Sequence, residues 1–163
     1  MKSDLLKIKR LRTKKRFAIS LAESCTGGMI SKNLTSIDGS SLFFNGACIT
    51  YSNKMKEDLL NVPHKTIIKY GAVSHQTALA MVKGLKRLTG SELLISVTGV
   101  AGPKGGTNIT PVGCVFYGVG VKIRKKYSFH TVKKIFNEKT RHSVRKKSAE
   151  FAIQLIHKEL MKL

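Results

Sequence analysis

Apolar residues change their spacing along this chain, and each change marks an element. Leu5, Leu6, Ile8 and Leu11 recur at helical intervals inside a lysine-rich stretch, which predicts a basic amphipathic helix over residues 3–15. FAISLA at 17–22 is instead an unbroken apolar run, the pattern of a strand buried on both faces. After Thr26-Gly27-Gly28, residues 29–37 read as a helix closed by Asp38-Gly39, and residues 45–51 as the next strand. A helix over 53–60 follows, with Ser52 or Asn53 as its N-cap. Ala78, Met81, Val82 and Leu85 form the apolar stripe of a helix over 74–89 that Ser74 can cap. LLISVTG at 93–99 is a strand entering a glycine loop, and residues 112–121 and 125–134 are neighbouring antiparallel strands. A long helix over 138–160 turns Val144, Phe151, Ile153, Leu155 and Ile156 inward.

Strands alternating with helices through the first hundred residues, then a hairpin, imply a mixed sheet covered by helices on both faces. The expected fold is a single α/β domain over residues 1–163: a three-layer α/β/α arrangement ending in a C-terminal helix. Residues 1–15 are its basic N-terminal helix and 16–163 its motif-bearing core. A chain of 163 residues can bury such a core without disulfides. Cys25, Cys48 and Cys114 show no metal-ligand or CxxC spacing and read as small buried apolar groups in a reducing compartment. With no apolar run of about 20 residues and no signal-like start, the expected location is the cytoplasm, with no membrane association. A homo-oligomer is compatible with the sequence.

Charge adds a question. The formal net charge is +21, and of the 30 Lys and Arg residues eight fall in residues 1–16 and eleven in 122–147. Such clusters attract phosphate polymers and steer small anions, but the basic stretches carry few aromatics on which bases could stack. A small anionic substrate is therefore preferred as partner, with a nucleic-acid-associated, non-catalytic protein as the alternative from another class.

Three side chains around the strand at 45–51 suggest nucleophilic chemistry. Ser41 is followed ten residues later by Tyr51 and five after that by Lys56. Serine needs a neighbouring base to become nucleophilic, and an uncharged lysine can serve. Near the start of its helix Lys56 is exposed to the positive end of the dipole, which together with desolvation lowers its pKa. Two glycine-rich turns accompany this trio. AESCTGG at 22–28 stands between strand and helix, where free N–H groups favour an anion. It matches neither the Walker pattern nor GxSxG. TGVAGPKGGT at 98–107 is a long glycine loop whose ordering cost points to a ligand. Ser24, Thr26, Gly27, Gly28, Thr98, Gly99, Gly105 and Gly106 are the candidate substrate contacts of these turns, the second turn being also a candidate oxyanion hole. Ser24 or Cys25 is the alternative nucleophile.

AESCTGG, GSS at 39–41, TYSNKMK at 50–56, GAVS at 71–74, TGVAGPKGGT and PVG at 111–113 occur together and in this order. That combination resembles the CinA C-terminal family of nicotinamide-nucleotide amidohydrolases, also known as competence-damage-inducible proteins, from about Phe17 to the end. The resemblance implies hydrolysis of the carboxamide of nicotinamide mononucleotide to nicotinate mononucleotide and ammonia, as in pyridine nucleotide recycling, with neither metal nor cofactor. Its Ser, Tyr and Lys map onto Ser41, Tyr51 and Lys56. Two-domain members carry a further N-terminal domain, for which this chain has no room, so it is expected to be the stand-alone form. Family members often read Gly-Asp-Arg before the last helix. Here Lys139-Thr140-Arg141 stands there, so Arg141 is the candidate phosphate ligand while the local turn departs from the pattern. Lys104 is a second departure.

Overall fold

A computed structural model describes residues 1–163. Five strands form one sheet: β1 Ile19–Glu23, β2 Phe44–Ile49, β3 Leu93–Gly99, β4 Cys114–Ile123 and β5 Lys126–Ile135. Their order is β2-β1-β3-β4-β5. β1 runs parallel to both β2 and β3, whereas β4 and β5 are antiparallel. The mixed sheet expected from the sequence is therefore present, with its parallel half at one side.

Six α-helices cover it: α1 Lys2–Lys14, α2 Met29–Leu34, α3 Asn53–Leu60, α4 His64–Tyr70, α5 His75–Thr89 and α6 Arg141–Leu160. Leu5 and Ile8 of α1, Ile30 and Leu34 of α2 and the inner face of α6 pack with Ile19, Leu21 and Ile95 in one apolar core. Leu60, Val62, Ile67, Met81 and Leu85 make a second core on the opposite face, against Ala22 and Leu94. Side chains alternate across a strand, so β1 and β3 feed both cores and are buried along nearly their whole length. That is the reason their sequences read as unbroken apolar runs. Residues 64–70, to which no helix was assigned from sequence, form α4, and a short 3₁₀ turn occupies 40–42.

Local sequence explains the helix starts. Ser52 and Ser74 accept the N–H groups of Met55 and Thr77, capping α3 and α5 as their positions suggest. Thr140 accepts from Ser143 N–H at 3.1 Å and caps α6. The departure from Gly-Asp at 139–140 thus leaves the capping function in place, with threonine as the acceptor. Gly84 marks the closest approach of two helices on the second face. A β-carbon there would collide with the Leu60 carbonyl, so only glycine lets α5 lie directly against the end of α3.

The chain leaves β1 toward β2, then crosses back over β1 to reach β3. The C-terminal ends of the three parallel strands meet where this winding reverses, the place where open α/β sheets leave a crevice for ligands.

Candidate active site

Two strand ends are stitched together at that crevice. Ser24 N–H donates to the Val97 carbonyl of β3 at 3.0 Å, and Thr50 N–H donates to the Glu23 carbonyl of β1 at 2.8 Å. Ser24, just past β1, and Thr50, just past β2, are therefore neighbours although 26 positions apart in the chain. From the first turn of α3, Lys56 reaches back beneath this junction. Its Nζ lies 3.0 Å from Ser24 Oγ, 2.9 Å from the Thr50 carbonyl and 3.3 Å from the Tyr51 carbonyl. Only 1 % of Lys56 is exposed.

The arrangement suits either protonation state of the lysine. An ammonium donates to the two carbonyls and to Ser24. A neutral amine keeps both carbonyl bonds and turns its lone pair toward Ser24, whose hydroxyl then donates. Burial disfavours the charged form, and desolvation lowers the Lys56 pKa from its ordinary value of 10.5. Beside it, burial pushes the Cys25 thiol up to about 12. Cys25 thus remains a neutral thiol near neutral pH, a poor nucleophile, because burial outweighs the pull of Lys56 and Arg145 toward the thiolate.

Ser41 is not brought to this site. It lies exposed in the 3₁₀ turn that precedes β2, whereas Lys56 follows the far end of that strand. Six extended residues separate the two ends by roughly 17–20 Å. The expected Ser41–Lys56 pairing is accordingly corrected: the serine beside Lys56 is Ser24. Tyr51, the third member of the expected set, does not present its hydroxyl to Lys56. The Tyr51 ring is 59 % exposed, and its hydroxyl accepts from Arg141. Tyr51 lines the cleft and touches Lys56 through its backbone carbonyl alone.

The AESCTGG turn holds its own anion. Glu23 is fully buried, and its carboxylate accepts the N–H groups of Gly28, Ile30 and Ser31 at 2.9, 3.2 and 2.9 Å, with the Ser31 hydroxyl at 2.6 Å. The start of α2, expected to offer free N–H groups to a ligand, is instead filled by Glu23. Thr26 is buried with its hydroxyl unpaired, and its carbonyl accepts from Arg145 at 2.8 Å. Gly27 and Gly28 take positive φ, Gly27 on the surface and Gly28 half-buried, and neither lines the cleft. Glu23 and Arg145 are thus the residues that sequence reasoning passed over. A carboxylate immediately ahead of a glycine turn was the available signal for the first.

Above Ser24 lies a cleft of about 310 Å³, within the range that small-molecule sites occupy. Ser24, Cys25, Tyr51 and Lys56 line one side, and Thr98 with Gly99, Gly102 and Gly105 the other. The Thr98 hydroxyl is spent on the Ala72 carbonyl at 2.7 Å, so this residue shapes the wall. Gly106 packs against Val112 and does not reach the cleft. Arg141 does reach it, spanning from the Tyr51 hydroxyl to the Gly102 carbonyl, which it contacts at 2.9 Å. No group of three or more His, Cys, Asp or Glu side chains is placed to hold a metal.

The class is that of a doubly covered α/β protein with a serine and a buried lysine hydrogen-bonded at the ends of its parallel strands. More particularly, the chain belongs to the CinA C-terminal domain family, whose model matches residues 3–160. A CinA-like protein of Endomicrobium trichonymphae is 42 % identical over 153 residues, covering 93 % of this chain and 34 % of that protein. A CinA-like protein of Geotalea uraniireducens is 46 % identical over 117 residues, covering 70 % of this chain and 28 % of its own length. The chain thus spans about a third of the length of the curated relatives it matches. Among solved structures, the competence damage-inducible protein A of Klebsiella pneumoniae superposes with a TM-score of 0.88 at 26 % identity, over 98 % of this chain and 96 % of that one. The competence/damage inducible protein CihA of Agrobacterium tumefaciens superposes with a TM-score of 0.84 at 33 % identity, over 94 % and 93 %. The three-layer fold is therefore that of the family. No helix is long and apolar enough to cross a membrane.

Proposed function

We propose that this chain hydrolyses the carboxamide of nicotinamide mononucleotide to nicotinate mononucleotide and ammonia, with Ser24 as nucleophile and Lys56 as its base. The family resemblance supplies the substrate. The observation that carries the chemistry is the 3.0 Å contact between Ser24 Oγ and a lysine that is almost fully buried.

Neutral Lys56 takes the Ser24 proton as Oγ attacks the amide carbon, and the carbonyl π electrons move onto oxygen. Cys25 N–H, which donates to no other residue and stands next to the nucleophile in the chain, is the candidate oxyanion donor. When the intermediate collapses, the C–N bond breaks, and the Lys56 ammonium gives its proton to the departing NH₂ group, which leaves as ammonia. Water then attacks the ester, giving its proton to Lys56, and the released serine is reprotonated by the same group. Lys56 acts on Ser24 directly. Tyr51, held by Arg141 at the mouth, presents its ring to the substrate.

The test is ammonia release from nicotinamide mononucleotide, nicotinamide riboside and free nicotinamide. Turnover of the mononucleotide that vanishes in Ser24→Ala and persists in Ser41→Ala is expected. Activity retained in Ser24→Ala would refute the nucleophile, and inertness of the folded wild-type protein toward all three compounds would refute the amidase.

A further inference from the structure

We propose that Lys104 and the backbone N–H groups of Gly102, Lys104 and Gly105 form an anion-reading subsite of the cleft that takes a terminal phosphate, with Arg141 acting as a strut. This rests on the amidase reading only for the identity of the phosphate ester. The cavity, its charges and its open donors stand independently of it.

Three cations line the cleft, and two already have protein partners. Lys56 is enclosed beneath Ser24, and Arg141 is stretched between Tyr51 and Gly102. Lys104 lines the same space, is exposed, and makes neither a hydrogen bond nor an ion pair within the protein. None of the 15 lining residues is acidic, so nothing in the wall competes for that ammonium.

The backbone around Lys104 adds directed donors. Val100, Thr107 and Gly113 N–H groups are consumed by bonds that shape the loop, to Cys114, Thr110 and Val100 carbonyls respectively. Those of Gly102, Lys104 and Gly105 donate to no protein atom, and all three residues line the cleft. Gly102 and Gly105 hold φ of +75° and +89°, left-handed values that turn the backbone sharply on either side of Pro103-Lys104 and leave the Lys104 side chain on the cleft wall. The contrast with the β1–α2 turn sharpens the assignment, because there the equivalent donors are already occupied by Glu23. Of the two glycine turns, it is the one at 102–105 that offers an oxygen-rich dianion open amides and an unpaired ammonium. Gly105 also lines the adjoining depression beside Tyr70 and Ile109, which places the subsite at the outer end of the cleft, where a ribose 5′-substituent would emerge.

The decisive experiment titrates inorganic phosphate into ¹⁵N-labelled protein while the amide resonances are followed. Saturable shifts of Gly102, Lys104 and Gly105 are expected. Lys104→Met should weaken phosphate about tenfold with the spectrum otherwise preserved, while Lys158→Met, which removes an exposed charge at the far end of α6 from Arg141, should leave the affinity unchanged. Unmoved loop amides, or equal affinity in wild type and Lys104→Met, would overturn the subsite. In the enzymatic arm, Lys104→Met should raise KM for the mononucleotide about tenfold at unchanged kcat and leave the riboside unaffected. If the wild type hydrolyses neither compound, the amidase fails while the phosphate titration still decides the subsite. If it hydrolyses the mononucleotide and the loop amides ignore phosphate, the subsite fails alone.

Discussion

The two glycine-rich turns of the cleft have similar compositions and opposite states of satisfaction. In the turn after β1, a buried carboxylate collects three N–H groups and a hydroxyl, Arg145 clamps the Thr26 carbonyl, and Ser24 remains tied to β3. In the loop after β3, several amides and a lysine ammonium have no partner inside the protein. The first region has completed its bonding and can hold a nucleophile still. The second has left its bonding open and can receive a molecule. Glycine content alone does not distinguish them; what separates them is whether a charged side chain from the same chain fills the concavity.

The largest expected effect breaks the first region at its reactive atom. Ser24→Ala should lower kcat by about 10⁴-fold, as removal of a nucleophile does, with unaltered circular dichroism, whereas Ser41→Ala should be silent in the same ammonia assay. Next comes the base. Lys56→Met should reduce kcat by a comparable factor, and the pH profile supplies an independent reading. With its folded-state pKa lowered by desolvation, Lys56 is deprotonated at lower pH in the native protein than in the unfolded chain. Activity should therefore rise with pH along a limb centred below 10.5, the ordinary lysine value. Between the lowered pKa and 10.5 the unfolded chain binds more protons, so stability also rises with pH there. Denaturant titrations across that window should show the rise in wild type and lose this component in Lys56→Met.

A smaller effect is expected from Glu23→Gln, which leaves an amide NH₂ confronting backbone donors. Loss of about 3 kcal/mol in unfolding free energy is anticipated, measured by urea denaturation, with kcat falling because Ser24 loses its fixed neighbour. Arg141→Ala should act least. By freeing Tyr51 and Gly102 it should lower kcat/KM about tenfold or less while moving the melting temperature little. A stability loss in Arg141→Ala as large as that in Glu23→Gln would remove the distinction between the closed and the open turn.

Much of this architecture could be read before any coordinates. The buried strands β1 and β3 announce themselves as apolar runs, and Ser52 and Ser74 sit at real helix starts because cap chemistry is local. Lys56 was recognisable for the same reason, its position near the start of α3. The error over Ser41 came from using sequence distance as a stand-in for spatial distance. Ser41 and Lys56 are 15 positions apart with an extended strand between them, and that strand carries them to opposite ends of the sheet. Ser24 is 32 positions from Lys56, yet parallel pairing of Glu23 with Ile49 aligns the two strand ends. Strand register is a tertiary property, and no local pattern reports it. The occupation of the α2 start by Glu23 was illegible for a related reason, since a glycine turn looks alike whether its donors are filled from within or left for a ligand.

The missing side chain at Gly84 has a consequence for how this protein could be changed. Because α5 rests on the Leu60 carbonyl there, a larger residue would wedge the end of α3 outward, and Lys56 rides on the same helix. A mutational library aimed at new substrates would be well spent on the outer loop around 104–110, where the chain has latitude. At position 84 nearly every variant would shift Lys56 before it altered the cleft wall, making that one site a filter against drift beneath Ser24.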